Sequence, residues 1–260
     1  MRLLGQLLSI ERKLQPENMR IFQITDLHIG EVDQRPFDVD VRENFLLMLD
    51  ALQQHQHDLL VISGDLCYED GEADIYRWIR GHLDNRKLNY RIIPGNHDNH
   101  CLMVDEFDLP PSYREHFFFS SNQEEPPVVF LNSGKGTLHP SQVPALKAYL
   151  EKTTAPVCLF MHHPPIPMGV PYMDDNHAIK EAGPLLNVLT QHAYPITIFT
   201  GHYHVEKSVR WKNLDIHVTP SCFFQIDWRR EGFAVDHHRC AYRWIDWDGD
   251  QLQHGLIYIN

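Results

Sequence analysis

Short apolar, β-branched runs bounded by turn residues recur along the chain, and between them hydrophobic positions fall at helical spacing. Residues 20–25 have a strand pattern, after which Val41, Phe45, Met48, Leu49 and Leu52 share one helical face. A buried strand is expected at 58–63 around Leu59-Leu60-Val61-Ile62, a helix at 73–85, and strands at 90–93, stopped by Pro94-Gly95, and 128–131. A helix at 141–152, a strand at 157–161, a helix at 177–192 carrying Gly183-Pro184 and a strand at 196–199 follow. After residue 200 the helices stop, and 205–211, 214–218, 241–247 and 252–259 read as antiparallel strands separated by turns such as Asp248-Gly249. This order predicts an α/β fold of two sheets packed face to face with helices outside. Residues 105–127, rich in Pro, Ser, Glu and Phe, read as a long loop.

With 260 residues, 43% of them hydrophobic and 22% charged, the chain can bury one large core, and a single domain over 1–260 is expected. Within it, 1–19 is an N-terminal extension and about 205–260 the β-rich C-terminal part. The formal charge of −12 argues against a nucleic acid polymer as partner, so any phosphate handled here needs a local positive charge. Cys67, Cys101, Cys158, Cys222 and Cys240 form no C-x-x-C pair, which argues against a disulfide framework and a thiolate metal site. The apolar start is broken by Gly5-Gln6 and reads as structural rather than as a secretory signal. No stretch approaches the ~20 apolar residues of a membrane span. A cytoplasmic protein without a membrane partner is expected.

Histidine is the compositional oddity, with 18 in the chain. Five polar clusters follow the apolar strands: Asp26-Leu27-His28, Gly64-Asp65, Gly95-Asn96-His97-Asp98, His162-His163 and Gly201-His202-Tyr203-His204. The carboxyl ends of strands are where α/β sheets bind ligands. Residues two apart in an extended segment point the same way, so Asp26 is expected to act with His28 and His202 with His204, each pair gripping one ion. Singly these clusters are ordinary turns; together they point to a metal centre. His55, His57, His82, His100, His116, His192, His237, His238 and His254 read as solvated surface, whereas His163 and His177 are candidates for lining a pocket. Trp228, Trp244 and Trp247 read as core or interface.

The pattern D-x-H, G-D, G-N-H-D, H and G-H-x-H resembles that of the calcineurin-like metallophosphoesterases. Gln23-Ile24-Thr25-Asp26, His162-His163-Pro164-Pro165 with Asp175-Asn176-His177, and Thr219-Pro220-Ser221-Cys222 with Gln225 look like the bacterial class III cyclic-nucleotide phosphodiesterases. The likeness runs from about Arg20 to the C-terminus. It implies a four-layer αββα sandwich, with two mixed sheets flanked by helices, forming one metallophosphoesterase domain. It also implies that Asp26, His28, Asp65 and His204 hold one metal ion, while Asp65, Asn96, His162 and His202 hold a second, Asp65 bridging both. Imidazole and oxygen ligands without thiolate suit Fe and Mn, with Zn as an alternative. Two divalent ions, two aspartates and a bridging hydroxide leave about +1 at the site, an electropositive pocket in an acidic chain.

The implied reaction is hydrolysis of 3′,5′-cyclic AMP or a related small phosphodiester by attack of that hydroxide. His97 would contact the phosphoryl oxygen or protonate the leaving alkoxide, and Asp98 would fix the His97 tautomer. The family also suggests a homodimer. The alternatives are a phosphomonoesterase, nucleotidase or glycerophosphodiesterase of the same fold, or a non-catalytic protein-binding scaffold. Two departures bear on substrate: Glu181, where relatives often carry Asn, would bring an extra carboxylate near the pocket, and Asn132 stands where relatives usually have Asp.

Overall fold

The first sheet is assembled from strand β1 (Met19–Ile24), helix α1 (Val41–Gln53), β2 (Leu59–Ser63), α2 (Ala73–Asn85) and β3 (Tyr90–Ile93), with α3 (His100–Glu106) beyond it. The computed structural model describes residues 19–114, 118–120, 126–248 and 251–259; residues 1–18 of the N-terminal extension, His116 and Gly249 lie outside them. The second sheet takes β4 (Phe118–Ser120), β5 (Val128–Leu131), α4 (Gln142–Leu150), β6 (Val157–Phe160), α5 (Pro171–Asn176), α6 (Gly183–Gln191), β7 (Ile196–Thr200), β8 (Lys207–Trp211) and β9 (Leu214–Val218). The chain continues through the short pair β10 (Gln225–Ile226) and β11 (Val235–His237) to β12 (Ala241–Trp247) and β13 (Leu252–Tyr258).

Both large sheets are mixed. One runs β13-β12-β1-β2-β3, with β1, β2 and β3 parallel and β12 antiparallel to both of its neighbours. The other runs β4-β5-β6-β7-β9-β8, parallel except at its two edges. Alternation along β1 and β2 divides the core. Ile21, Leu59 and Val61 meet Val128, Phe130, Cys158, Phe160 and Phe199 of the other sheet. Phe22, Ile24, Leu60 and Ile62 instead join Phe45, Met48, Leu49 and Leu52 of α1. Leu146 and Leu150 of α4 and Leu185 and Leu189 of α6 are buried with Leu159 and Ile198 outside the second sheet. Helices cover the outer face of each sheet, giving the four-layer arrangement. Coverage on both faces is why these strands read as unbroken apolar runs. Burial of each interlayer phenylalanine is worth ~1.5–3 kcal/mol.

The structure departs from the sequence reading in four places. The helix expected at 177–192 begins only at Gly183, where Pro184 occupies its first turn. Before it, α5 ends at Asn176 and Glu181 has a left-handed backbone, φ 56. The stretch read as loop from 105 contains a turn of 3-10 helix (Pro111–Arg114) and β4, which pairs antiparallel with β5. Among the tail strands, β9 runs parallel to β7 rather than antiparallel. His254 packs on Phe199 and His217 and sits 2.9 Å from an Arg243 terminal nitrogen, so it is not a solvated surface residue. The cysteines are all free thiols, as their spacing suggested. No helix among the described residues is long and apolar enough to cross a membrane.

Candidate metal centre

Where β1 and β2 stop, their continuing loops stay tied together. Asp26 N–H donates to the Gly64 carbonyl, His28 N–H to Asp65 and Ile29 N–H to Leu66, at 3.0, 3.0 and 2.9 Å. From the second sheet, Gly201 N–H donates to the His162 carbonyl at 3.0 Å, and His202 N–H reaches both Asp26 carboxylate oxygens at 3.1 and 3.0 Å. Asp26, His28, Asp65, His202 and His204 all have positive φ, between 47 and 67. Strand alternation, the route expected from the sequence, is therefore not what makes the pairs at 26/28 and 202/204 converge. Each lies past the end of its strand, in left-handed turns that bring its side chains to the gap between the sheets. Non-glycine residues adopt this conformation at a strain of about 1–3 kcal/mol, and such strain gathers at functional sites.

The glycines of the motifs have matching physical reasons. Gly64 has φ 102, a conformation that L side chains rarely adopt. A Cβ on Gly95 would overlap the Asp65 carboxylate and backbone.

Three overlapping donor groups result; His28, Asp65 and His97 form one, and the expected ligands form the other two. Asp26, His28 and His204 present ligand atoms within 4.8 Å of one another, as do Asp65, His162 and His202. The nearest approaches are 3.1 Å between the Nε2 atoms of His28 and His204, 3.3 Å from His204 Nε2 to Asp26, and 3.2 Å from His162 Nε2 to both Asp65 and Asn96. Asp65 stands between the clusters, its Oδ2 also 3.8 Å from His28 Nε2. The structure thus brings all seven sequence-predicted ligands to one place.

Hydrogen bonds on the far side of the rings set the tautomers. His162 Nδ1–H donates to the Ser63 carbonyl at 2.8 Å, His204 Nδ1–H to Phe224 at 3.1 Å and His202 Nε2–H to His177 at 2.9 Å. This leaves His204 Nε2 and His202 Nδ1 as lone pairs for a metal and turns His162 Nε2 toward the carboxylates, where a cation would take the place of its proton; backbone carbonyls in this position are the usual support of metal-binding imidazoles. Burial pushes His28 and His202 down to about 3, so they are neutral rings. At His162 burial also opposes the charge, but the carboxylates of Asp65 and Asp26 win and raise it to about 9. Burial disfavours the Asp65 anion too, yet His162 and His28 hold its pKa well below the ordinary range. A potential able to keep a proton on a buried imidazole also attracts a cation, and the nitrogen and oxygen donor set fits a dinuclear site for borderline divalent ions.

His97 lies beside this centre, its ring 4.9 Å from that of His28, and its backbone N–H donates to Asp65 at 2.9 Å. Its Nδ1–H donates to the Glu69 carbonyl at 2.8 Å. The expectation that Asp98 fixes this tautomer is corrected: the Asp98 carboxylate instead accepts from Gly95 N–H, Leu66 N–H and the Tyr76 hydroxyl at 2.8, 3.1 and 3.1 Å. It ties the Gly95–Asp98 turn to the Asp65 loop, and burial with the nearby Asp65 charge pushes its pKa up to about 6. His163 is buried behind the centre, its ring tilted against that of His202 at 4.1 Å and paired with Ser133 Oγ.

The centre forms the floor of a cavity of about 600 Å³. His177 lines it, whereas Glu181 does not. Glu69 and Asp70, which the sequence did not single out, supply the carboxylates there, and Phe37, Tyr172, Phe223, Phe224 and Phe233 the apolar lining. No repeat or spacing marks these residues in advance. Asn132 uses its side-chain oxygen to accept from Gly134 N–H at 2.8 Å, so the change from Asp acts on a turn and not on this cavity.

The sequence pattern of the calcineurin-like phosphoesterase family matches residues 19–206. A Fibrobacter succinogenes protein named "Probable cyclic nucleotide phosphodiesterase" is 32% identical, over 95% of this chain and 96% of its own. The Escherichia coli 3′,5′-cyclic adenosine monophosphate phosphodiesterase CpdA is 27% identical, over 89% of this chain and 86% of its own. A glycerophosphodiester phosphodiesterase named as probable, GpdQ of Arcobacter nitrofigilis, is 24% identical over 83% of this chain and 84% of its own. A solved dimetal phosphatase from Danio rerio shares the fold, with a TM-score of 0.64 at 14% identity over 93% of this chain and 99% of its own. The motif-bearing region, the sheets and the donor clusters agree: the chain belongs to the calcineurin-like phosphoesterase family and is a metal-dependent phosphoesterase.

Proposed function

We propose that this protein hydrolyses a 3′,5′-cyclic nucleotide, cyclic AMP or a close relative, to the nucleoside monophosphate. Asp26, His28, Asp65 and His204 would hold one ion and Asp65, Asn96, His162 and His202 the other, with Fe and Mn the favoured metals and Zn an alternative. The observation that carries this reading is the pair of donor clusters meeting at Asp65 on the floor of a cavity of about 600 Å³, a size suited to one small ligand. The relatives named for cyclic nucleotides supply the substrate class.

When bound, the two ions supply Lewis acidity toward the phosphoryl oxygens and an activated water. Hydrolysis adds water across one P–O bond, the oxygen going to phosphorus and a proton to the departing alkoxide. His97, whose ring lies 4.9 Å from that of His28, would give that proton. Because its Nδ1–H is committed to Glu69, the neutral ring offers only a lone pair at Nε2. It donates there only as the imidazolium. Asp98 acts as a positioning residue for the turn that carries Asn96 and His97.

Chromatography of products from Mn²⁺-loaded protein tests the proposal against cyclic AMP, cyclic GMP, glycerophosphodiesters, bis(p-nitrophenyl) phosphate and p-nitrophenyl phosphate. Faster turnover of a cyclic nucleotide than of the other substrates is expected. Preference for the monoester, or for a glycerophosphodiester, would replace this reading.

A further inference from the structure

The cavity above the metal centre has an asymmetric chemistry. An unbroken bank of rings runs along it: Tyr172 to Phe233 at 5.6 Å, Phe233 to Phe37 at 6.0 Å, Phe37 to Phe224 at 4.9 Å, and Phe224 to Phe223 at 4.4 Å. The bank touches the centre itself, since Phe224 lies 4.9 Å from His204 and Phe223 5.3 Å from His28. Its outer members are held in the open. Phe37 is 49% and Phe233 43% exposed.

Phe37 is also presented under strain. It and Asp38 have consecutive left-handed backbones, φ 52 and 60, in a short turn where neither residue is glycine. Backbone strain that holds a large apolar side chain at a cavity mouth points to a ligand contact rather than to core packing. The same cavity has two carboxylates at its rim, Glu69 and Asp70, and among the described residues no lysine or arginine lines it. A second phosphate on the substrate would meet repulsion and no partner.

We propose that this bank, with Phe37 and Phe233 as its outer members, is the binding face for a planar nucleobase, and that it sets selectivity for base-bearing, singly charged phosphodiesters. The proposal rests on the cyclic-nucleotide reading of the site and adds the residues that distinguish one diester from another. A base lying on the rings keeps its phosphate on the metal floor. The exocyclic amine of a purine is a donor matched to the Glu69 or Asp70 carboxylate, whereas a pyrophosphate or polynucleotide would carry extra negative charge onto that rim. Base stacking on an aromatic side chain is sequence-tolerant, so adenine and guanine would both be accepted.

The test compares the wild type with Phe37→Ala and Phe233→Ala, metal-loaded, on cyclic AMP and on methyl riboside 3′,5′-cyclic phosphate, the same ring without a base. Each variant is expected to raise KM for cyclic AMP about tenfold, with kcat and both constants for the base-free diester held within about twofold. Equal changes for the two substrates, no change for either, or a rise confined to the base-free diester would overturn the proposal. Calorimetric titration with adenosine 5′-monophosphate against ribose 5-phosphate reads the same contact without turnover. Tighter binding of the adenosine compound that is lost in Phe37→Ala supports the base-binding face even if cyclic AMP is not cleaved, in which case only the functional reading falls.

Discussion

The Nδ1 of His97 lies 2.8 Å from the carbonyl oxygen of Glu69, while the adjacent Asp98 directs its carboxylate to Gly95, Leu66 and Tyr76. Neighbours in sequence therefore do different work. His97→Ala should lower kcat about 10²–10⁴-fold, the range for loss of a proton donor, with metal content unchanged. Asp98→Asn should mainly lower stability, by about 1–3 kcal/mol, because a charged acceptor of three hydrogen bonds is replaced by an amide with one acceptor oxygen. Steady-state kinetics beside urea denaturation separates the two; equal loss of metal and kcat in His97→Ala would contradict the assignment.

Gly95→Ala tests the turn on which Asn96 and His97 ride. Its new Cβ would overlap the Asp65 carboxylate and backbone, so something must shift at the shared ligand itself. The expected result is a stability loss of about 1–3 kcal/mol together with weakened metal binding. Wild-type metal affinity in a folded Gly95→Ala protein would show that the turn has slack.

Away from the metal centre, the tilted rings of His217 and His254 are in contact at 4.1 Å between centroids, and Arg243 Nη1 lies 2.9 Å from His254 Nδ1. Arg243 can only donate, so His254 accepts and is neutral. Burial, followed for His217 by its partner and for both by Arg243, pushes His217 down to about 3 and His254 to about 4, from an ordinary 6.5. Between pH 6.5 and about 4 the unfolded chain binds more protons at these positions than the folded one, so their contribution falls as pH drops through that window. Urea midpoints in excess chelator should fall from pH 7 to pH 5, and fall less in a His217→Gln/His254→Gln variant. Equal falls in the two proteins would place the acid sensitivity elsewhere.

Strand and helix order is legible in the sequence wherever burial on two faces or one produces a clean period, as at Leu59-Leu60-Val61-Ile62 and along Val41, Phe45 and Leu52. The candidate metal ligands are legible because five polar clusters, each an ordinary turn by itself, recur in order after apolar strands. Their mode of convergence is not, since nothing in Asp26-Leu27-His28 marks a left-handed backbone that tertiary hydrogen bonds enforce. No helix starts at His177: α5 ends at Asn176, Glu181 has positive φ, and the next helix starts at Gly183 with Pro184 in its first turn, although the composition of the residues between is compatible with a helix. Glu69 acts through its carbonyl on His97, and any residue type could supply that carbonyl. Phe37 is placed by an irregular turn with no periodicity to read.

The central claim is that one carboxylate, Asp65, belongs to both halves of a dinuclear centre. Metal analysis of the folded wild type and of Asp65→Asn, paired with turnover before and after chelation, tests it most directly. About two ions per chain in the wild type, fewer than about one in Asp65→Asn, and activity lost on chelation and restored by Mn²⁺ are predicted. A variant that still carries both ions, or turnover that survives removal of divalent metal, would contradict the account.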